Sequence, residues 1–348
     1  MDQDYSAAYV AAHGIDPSNY PFVDSSTSVF EDYFEVHRGY ATLEVMDKRL
    51  KLAAGRRPLG DSVPLSLLQN RDQVDQRGNP SLLETLHFDG VTLSYAPENL
   101  SLLGSHWRIS YGYGYDEGYD IGTDSNNDEQ LLAIAIVPVN LDNVVTWFQW
   151  VRGFELFDSG DVDWFSAGGR GNVKLGPGDL HGFADFGISV TRPGGSSHAT
   201  TTFTGLLSGV SGVSYKPVNQ TGYAVYTGIR YDLPTLTKIG FEYNYGSKYW
   251  VATVGDATSK AGTRGHVYEP YIIQEINQNP VTTIFARTFL RVGYRYHDYY
   301  VNESTSTSNW VGAPASISSI TSAMPSSFST VSPASNSYSV YGALEVHF

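Results

Sequence analysis

The stretch Ser337-Tyr338-Ser339-Val340-Tyr341-Gly342-Ala343-Leu344-Glu345-Val346-His347-Phe348 decides the fold class. Its residues alternate with period two, which puts Tyr338, Val340, Leu344, Val346 and Phe348 on one face and Ser339, Tyr341, Glu345 and His347 on the other. An apolar face opposite a polar one fits a strand with lipid on one side and water on the other. The same pattern would also suit a strand of a secreted β-sandwich, so the connections have to discriminate.

Twelve further alternating segments precede it, bounded by Gly, Pro, Asn and Asp. They run Phe34 to Val45, Arg49 to Arg57, His87 to Ala96, His106 to Tyr115, Gln130 to Asn140, Val144 to Phe157, Asp163 to Leu175, Leu180 to Arg192, Thr221 to Asp232, Leu236 to Trp250, Thr263 to Asn277 and Thr282 to Tyr300. Short turns such as Asp47-Lys48, Gly176 to Asp179 and Leu233 to Thr235 alternate with long connections such as Pro58 to Leu86, Pro193 to Gln220 and Val301 to Asn336. Tight turns on one rim and long loops on the other are the asymmetry of an outer-membrane barrel, and a sandwich has no reason to keep it. The expected fold is therefore all-β, a transmembrane antiparallel up-and-down β-barrel, with residues 34–348 as the barrel domain. The terminal Phe348 resembles the C-terminal signal read by the outer-membrane assembly machinery.

Composition agrees. The chain has 348 residues, 14% of them aromatic, no cysteine, and a formal net charge of −14. Excess acid argues against a nucleic-acid partner, which needs basic patches. The lack of cysteine removes disulfide scaffolds and thiolate metal sites. No run approaches the roughly 18 apolar residues of a transmembrane helix, and the N-terminus has neither the basic nor the apolar region of a secretory signal. Counting strands back from the periplasmic rim makes Phe34 to Val45 descend from outside, with residues 1–33 as an extracellular-type loop. Bacterial barrels have even strand numbers, so the expectation is a closed barrel of about 16 strands, some preceding Met1. Fourteen and eighteen are the alternatives.

Several segments together are similar to an uncharacterised family of bacterial outer-membrane β-barrel proteins known only as a domain of unknown function. They are Ala54-Gly55-Arg56-Arg57-Pro58, Leu86-His87-Phe88-Asp89-Gly90, Gly176-Pro177-Gly178-Asp179-Leu180-His181, Lys238-Ile239-Gly240-Phe241-Glu242-Tyr243 and Ser308-Asn309-Trp310-Val311-Gly312-Ala313-Pro314. The resemblance covers essentially the whole chain and implies a porin-like fold in the bacterial outer membrane. Members of that family normally begin with a signal peptide, a coiled segment and further strands. The stretch Arg38 to Arg57 with the loop after it also resembles, more loosely, general diffusion porins, in which such a loop folds into the lumen. Here the constriction loop would be 58–86, carrying Asp61, Arg71, Asp72, Asp75 and Arg77; an ordinary surface loop is the alternative.

In a barrel the chemistry belongs to what faces the lumen, and strand parity names it. The expected inward set is Arg38, Lys51, Arg57, Arg108, Arg170, Lys174, Asp185, Arg230, Lys238, Glu242, Glu269, Arg287, Arg291, Arg295 and Glu345. Arg287, Arg291 and Arg295, spaced by four, form a column, and with Glu44, Lys248 and Glu275 also on inward faces, bases outnumber acids by about two to one. Such a lumen would favour anions, unless pairs such as Arg287 with Glu269 and Lys238 with Glu242 simply tie wall strands together. Outward Tyr residues, with Tyr245, Tyr249 and Trp250 near one strand end, suggest aromatic girdles. Inward glycines such as Gly112 and Gly114 would allow curvature and leave lumen space.

The functional expectation is a passive channel for small hydrophilic solutes with a modest anion preference. The alternative is a structural barrel sheathing a partner, such as the porin component of a porin-cytochrome conduit; without Cys-x-x-Cys-His, any haem would belong to a multihaem cytochrome. Other expected partners are lipid, lipopolysaccharide and further copies of the chain, with no cofactor. No Gly-rich phosphate loop, His-Glu-x-x-His or Gly-x-Ser-x-Gly appears, so no enzyme is expected. Asp120, Asp124 and Asp128 form an oxygen-rich stretch that is a weak calcium candidate. Residues 1–33, 116–129 and 158–163 carry fifteen acids and no Lys or Arg, leaving 36 − 15 = 21 acids against 22 bases elsewhere. The acid excess thus belongs to the expected extracellular rim.

Overall fold

A computed structural model describes residues 39–58, 67–70, 87–114, 130–154, 160–193, 219–252, 260–276, 287–300 and 335–347. Thirteen strands form one sheet in sequence order, each pairing antiparallel with its neighbours. They are β1 (Gly39–Val45), β2 (Leu50–Pro58), β3 (His87–Tyr95), β4 (His106–Gly114), β5 (Gln130–Leu141), β6 (Val144–Phe154) and β7 (Gly160–Leu175). The remainder are β8 (Gly178–Pro193), β9 (Gln220–Asp232), β10 (Thr237–Gly246), β11 (Gly265–Glu275), β12 (Arg287–Tyr299) and β13 (Asn336–His347). All thirteen expected strands are present. Where both ends of a strand and its flanks are described, the main boundary change is at β10, which ends at Gly246 and not at Trp250. Among the described residues β1 and β13 are the two edges of the sheet.

The alternation read from sequence is realised as an inverted protein. On β4, Arg108 and Ser110 are buried while Trp107, Ile109, Tyr111 and Tyr113 are exposed. On β10, Lys238, Glu242 and Asn244 are buried while Ile239 and Phe241 are exposed. On β13 the outward Tyr338, Val340 and Leu344 reach 73%, 74% and 64% exposure, values that water would penalise and hydrocarbon favours. A polar inner face behind an apolar outer one is the arrangement of a membrane-spanning antiparallel wall.

The outer face carries aromatic residues at both rims. Toward the long connections, Tyr223 lies 5.9 Å from Tyr245, Tyr245 lies 5.0 Å from His266, and Tyr268 lies 6.4 Å from Tyr296, linking β9 to β12. Toward the tight turns, Tyr95 meets Trp107 edge-on at 5.2 Å, and the Tyr231 hydroxyl donates to the Leu175 carbonyl at 2.7 Å. Tyr223 and Tyr231 stand eight residues apart on β9. At about 3.4 Å per residue that is roughly 27 Å along the strand. A tilt near 40° reduces it to about 20 Å of height, close to the apolar band of an outer-membrane barrel.

The inner face is packed. One buried apolar cluster joins Leu131 on β5, Val151 on β6, Trp164 on β7, Phe183 on β8 and Tyr226 on β9 to Leu67, Trp250 and Val251 from the connections. Several inward glycines are covered by rings and leave no open space there: a Cβ at Gly240 would overlap Tyr271, one at Gly293 would overlap Tyr341, and one at Gly228 would overlap Phe183 and Glu242. Each lets an aromatic ring from an adjacent strand lie flat on the wall. Gly240→Ala is accordingly expected to displace Tyr271 at a cost of about 1–3 kcal/mol, read as a lower urea midpoint in phospholipid vesicles; an unchanged midpoint would refute it.

β5 contains Pro138, which has no N–H to give to the ladder. The register with β6 shifts between Ile136 and Val139, and the Pro138 carbonyl instead accepts from the Ser105 hydroxyl. A bulge accommodates the proline without breaking the strand.

Candidate functional site

The polar groups of β9 to β12 converge on a 3₁₀ turn, Leu67–Gln69, within the connection between β2 and β3. The turn lies inside the sheet with Leu67 and Leu68 buried, and the wall binds its backbone from several sides. Arg230 donates to the Leu67 carbonyl at 2.9 Å, and Arg291 donates to the Leu68 carbonyl at 2.9 Å. The Leu68 N–H donates to Glu242 Oε1 at 3.0 Å, and Asn70 Nδ2 donates to Glu275 Oε1 at 3.0 Å. A buried turn must satisfy its backbone groups, and here side chains of three strands, β9, β10 and β12, do so, while Glu275 of β11 takes the Asn70 side chain.

Around the turn lies a network of ions. Arg230, with no exposed surface, grips Asp232 with Nε at 2.7 Å and Nη2 at 2.8 Å. Lys238 lies 3.4 Å from Asp232 and 3.0 Å from Glu275, and His181 Nε2 lies 3.4 Å from Asp232. Arg291 pairs with Glu345 at 3.0 Å. Arg295 Nε and Nη2 both reach Glu269 Oε1 at 3.0 Å. The backbone register sets Arg295, and not Arg287, beside Glu269, with which it pairs, and Lys238 pairs with Asp232 and Glu275. The reason is depth: residues on the same level of adjacent strands meet, and β12 pairs Tyr296 with Tyr268, which brings Arg295 beside Glu269.

A second connection also turns inward. After Gly246 the chain leaves β10, and Trp250, fully buried, donates from Nε1 to the Ala261 carbonyl at 2.6 Å. Trp164 Nε1 donates to the Val251 carbonyl at 2.8 Å, and Arg264 Nε donates to the Trp250 carbonyl at 2.8 Å. Trp250 is therefore a core residue and not part of the outer girdle; parity stops applying where the strand stops. Lys260 enters from the same connection to bridge Glu242 and Glu269.

The other inward positions read from sequence fall on the inner face as follows. Arg108 and Arg170 are buried, and Asp185 accepts from the Ser166 hydroxyl at 2.6 Å. Lys51 pairs with Glu44 at 2.7 Å across β1 and β2 near the tight-turn rim, and Lys174 is exposed near that rim. Only the backbones of Arg57 and Arg287 are described. Arg38, Asp61, Arg71, Asp72, Asp75, Arg77, Asp120, Asp124, Asp128 and Phe348 lie outside the described residues. Sequence reading missed Lys260, Trp250, Tyr226 and Tyr271 as interior groups, whereas Tyr341 lies on the face it was assigned with Glu345. Outside the strands, Arg49 in the β1–β2 turn pairs with Glu98 at 2.5 Å, and that carboxylate holds the guanidinium pKa above its ordinary value. Among the described residues no group of three or more His, Asp or Glu is placed to hold a metal ion.

An uninterrupted antiparallel meander with an enclosed ionic interior and a lipid-suited exterior defines the wall of a transmembrane β-barrel. The chain belongs to the family described as protein of unknown function DUF3373, whose model matches residues 16–348. No curated protein matches it. Among solved structures it is similar to OccK11 (OpdR) of Pseudomonas aeruginosa, at 12% identity and TM-score 0.43, over 72% of this chain and 61% of that one. It is also similar to OccK2 (OpdF) of the same organism, at 12% identity and TM-score 0.46, over 74% and 62%. A third similar structure is outer-membrane expressed OmpT of Vibrio cholerae, at 13% identity and TM-score 0.39, over 88% and 80%. The chain spans about three fifths of the length of the two OccK structures.

Proposed function

We propose that the protein is an outer-membrane, porin-like channel through which small hydrophilic solutes diffuse passively, without enzymatic chemistry. The observation that carries this reading is the inversion of the wall. Arg230, Glu242, Asn244 and Glu269 are enclosed, while Ile229, Ile239 and Val340 are laid bare. Ionic groups held on the inside of a membrane wall serve a water-filled path, and the outer face then meets lipid and lipopolysaccharide.

In this reading the connection 58–86 is the constriction loop, with Leu67–Asn70 as the part that narrows the lumen against β9 to β12. Arg291 and Arg295 give that side of the lumen a modest anion preference, limited because each shares a carboxylate. Planar lipid bilayers test both points. The wild type is expected to show discrete conductance steps, and a Gly-Ser replacement of Leu67–Asn70 to show larger ones. The reversal potential in a potassium chloride gradient should lean toward anions, less so after Arg291→Gln with Arg295→Gln. Silence from the refolded wild type would overturn the channel reading. The sheath for a haem partner is disfavoured, because Leu67–Gln69 and Trp250–Ala252 occupy the inner surface that an enclosed protein would need.

A further inference from the structure

We propose that Glu242, Glu269, Tyr226 and Tyr341 form a binding site for a primary ammonium group, which Lys260 occupies as a tethered ligand. Glu242 and Glu269 are register partners on β10 and β11, and neither has exposed surface. Two facing carboxylates without water repel each other unless a cation lies between them. The Lys260 ammonium fills that position, hydrogen-bonded to Glu242 Oε2 and ion-paired, at 2.5 Å, with Glu269 Oε2. It also stands 5.2 Å from the centre of the Tyr226 ring, within range of a cation–π attraction.

The remaining walls are built to hold the carboxylates still. The Tyr226 hydroxyl donates to Glu242 Oε2 at 2.6 Å, and the Tyr341 hydroxyl donates to Glu269 Oε1 at 2.8 Å. Arg295 takes the same Glu269 oxygen as Tyr341, which leaves Oε2 for the ammonium. Glu242 and Glu269 against Arg295 and Lys260 sum to zero charge; without Lys260 the enclosed pocket carries one uncompensated negative charge. Two buried polar atoms flanking it, Asn244 Oδ1 and the Tyr271 hydroxyl, have no hydrogen-bond partner among the described residues.

The chemistry selects an organic ammonium over a metal. An ammonium has three donors and suits a face made of two carboxylate oxygens and an aromatic ring. A hard divalent ion wants six or more oxygens, and these carboxylates have already committed theirs to phenols, an arginine and the Leu68 N–H. Lys260 comes from the connection between β10 and β11, not from the wall, and its own carbonyl is held by Asn244 Nδ2 at 2.5 Å. A free amine could therefore replace it without rebuilding a strand.

The site needs no conduction, so its test is separate from that of the channel. Thermal unfolding of the detergent-solubilised protein is compared for wild type, Lys260→Ala and Lys260→Gln, with butylammonium chloride or sodium chloride at equal ionic strength. Lys260→Ala is expected to melt below wild type in sodium chloride. Millimolar butylammonium should raise its midpoint saturably by several degrees, leave wild type nearly unchanged, and lose its effect when Glu242→Gln is added, since a ligand stabilises only the state that binds it. Equal responses in all variants, or a response of Lys260→Ala to magnesium chloride and not to butylammonium, would overturn the proposal. Should neither lysine variant fold alone, refolding yield becomes the readout. Recovery with butylammonium supports the site, and no recovery overturns it.

Discussion

Arg230→Met is expected to lower the stability of the membrane-folded protein by about 3–5 kcal/mol, the cost of removing one partner from a buried ion pair. The guanidinium has no exposed surface, and its donors reach Asp232 and the Leu67 carbonyl. Methionine would fill the space but donate nothing. Asp232 would keep the longer contacts to Lys238 and His181, both at 3.4 Å, and the Leu67 carbonyl would keep the Asn70 N–H at 3.0 Å but lose the arginine inside the wall. Arg56→Met provides the comparison. Its pair with Asp89, at 2.9 Å, lies where Asp89 is half-exposed, and such pairs are worth about 1 kcal/mol or less. Urea titration in phospholipid vesicles measures both, and a loss at Arg230 no greater than that at Arg56 would contradict the latch described for the inner turn.

Phe186→Arg should be nearly as damaging, for the opposite reason. Phe186 stands midway along β8, opposite Ala167 and Val225, with 45% of its surface exposed. In a water-soluble sheet an exposed phenylalanine could become arginine for a change within about 0.5 kcal/mol. In a wall facing hydrocarbon the same change costs about 2–4 kcal/mol near the midplane and about 0–1 near the interface. Tyr223→Arg, at the aromatic rim, is the matched control. A steep difference between the two in vesicles places the lipid against this face, whereas equal small effects would remove it.

The wall was legible in the sequence because a strand repeats every two residues, and a single wrong step would flip every side chain of the strand. Arg108, Arg230, Lys238, Glu242, Glu269, Arg291 and Arg295 were placed inward on that ground alone, and all lie on the inner face. Connections have no period, so the same reading failed beyond Gly246. There Trp250 was counted with Tyr245 as a girdle residue, yet it packs inside. Lys260 gave no signal, being one lysine in a polar connection. The inner turn did leave one: Leu65-Ser66-Leu67-Leu68 is an apolar run inside an otherwise polar stretch, and such a run seeks cover. Which partners it would find could not be read, because Arg230 and Arg291 lie 163 and 223 residues away.

Those separations divide the molecule by the order in which its parts can form. Every strand pairs with the strand next in sequence, and several hairpins close through only a few residues, so the wall can grow by adding one hairpin at a time at little cost in loop entropy. The bonds that fasten Leu67 and Leu68 have no such local route. Their donors, Arg230 and Arg291, exist as neighbours only after β9 and β12 stand side by side with the strands between them. The wall is therefore the template on which its contents are secured, and the inner turn is fastened only once the strands from β9 to β12 stand together.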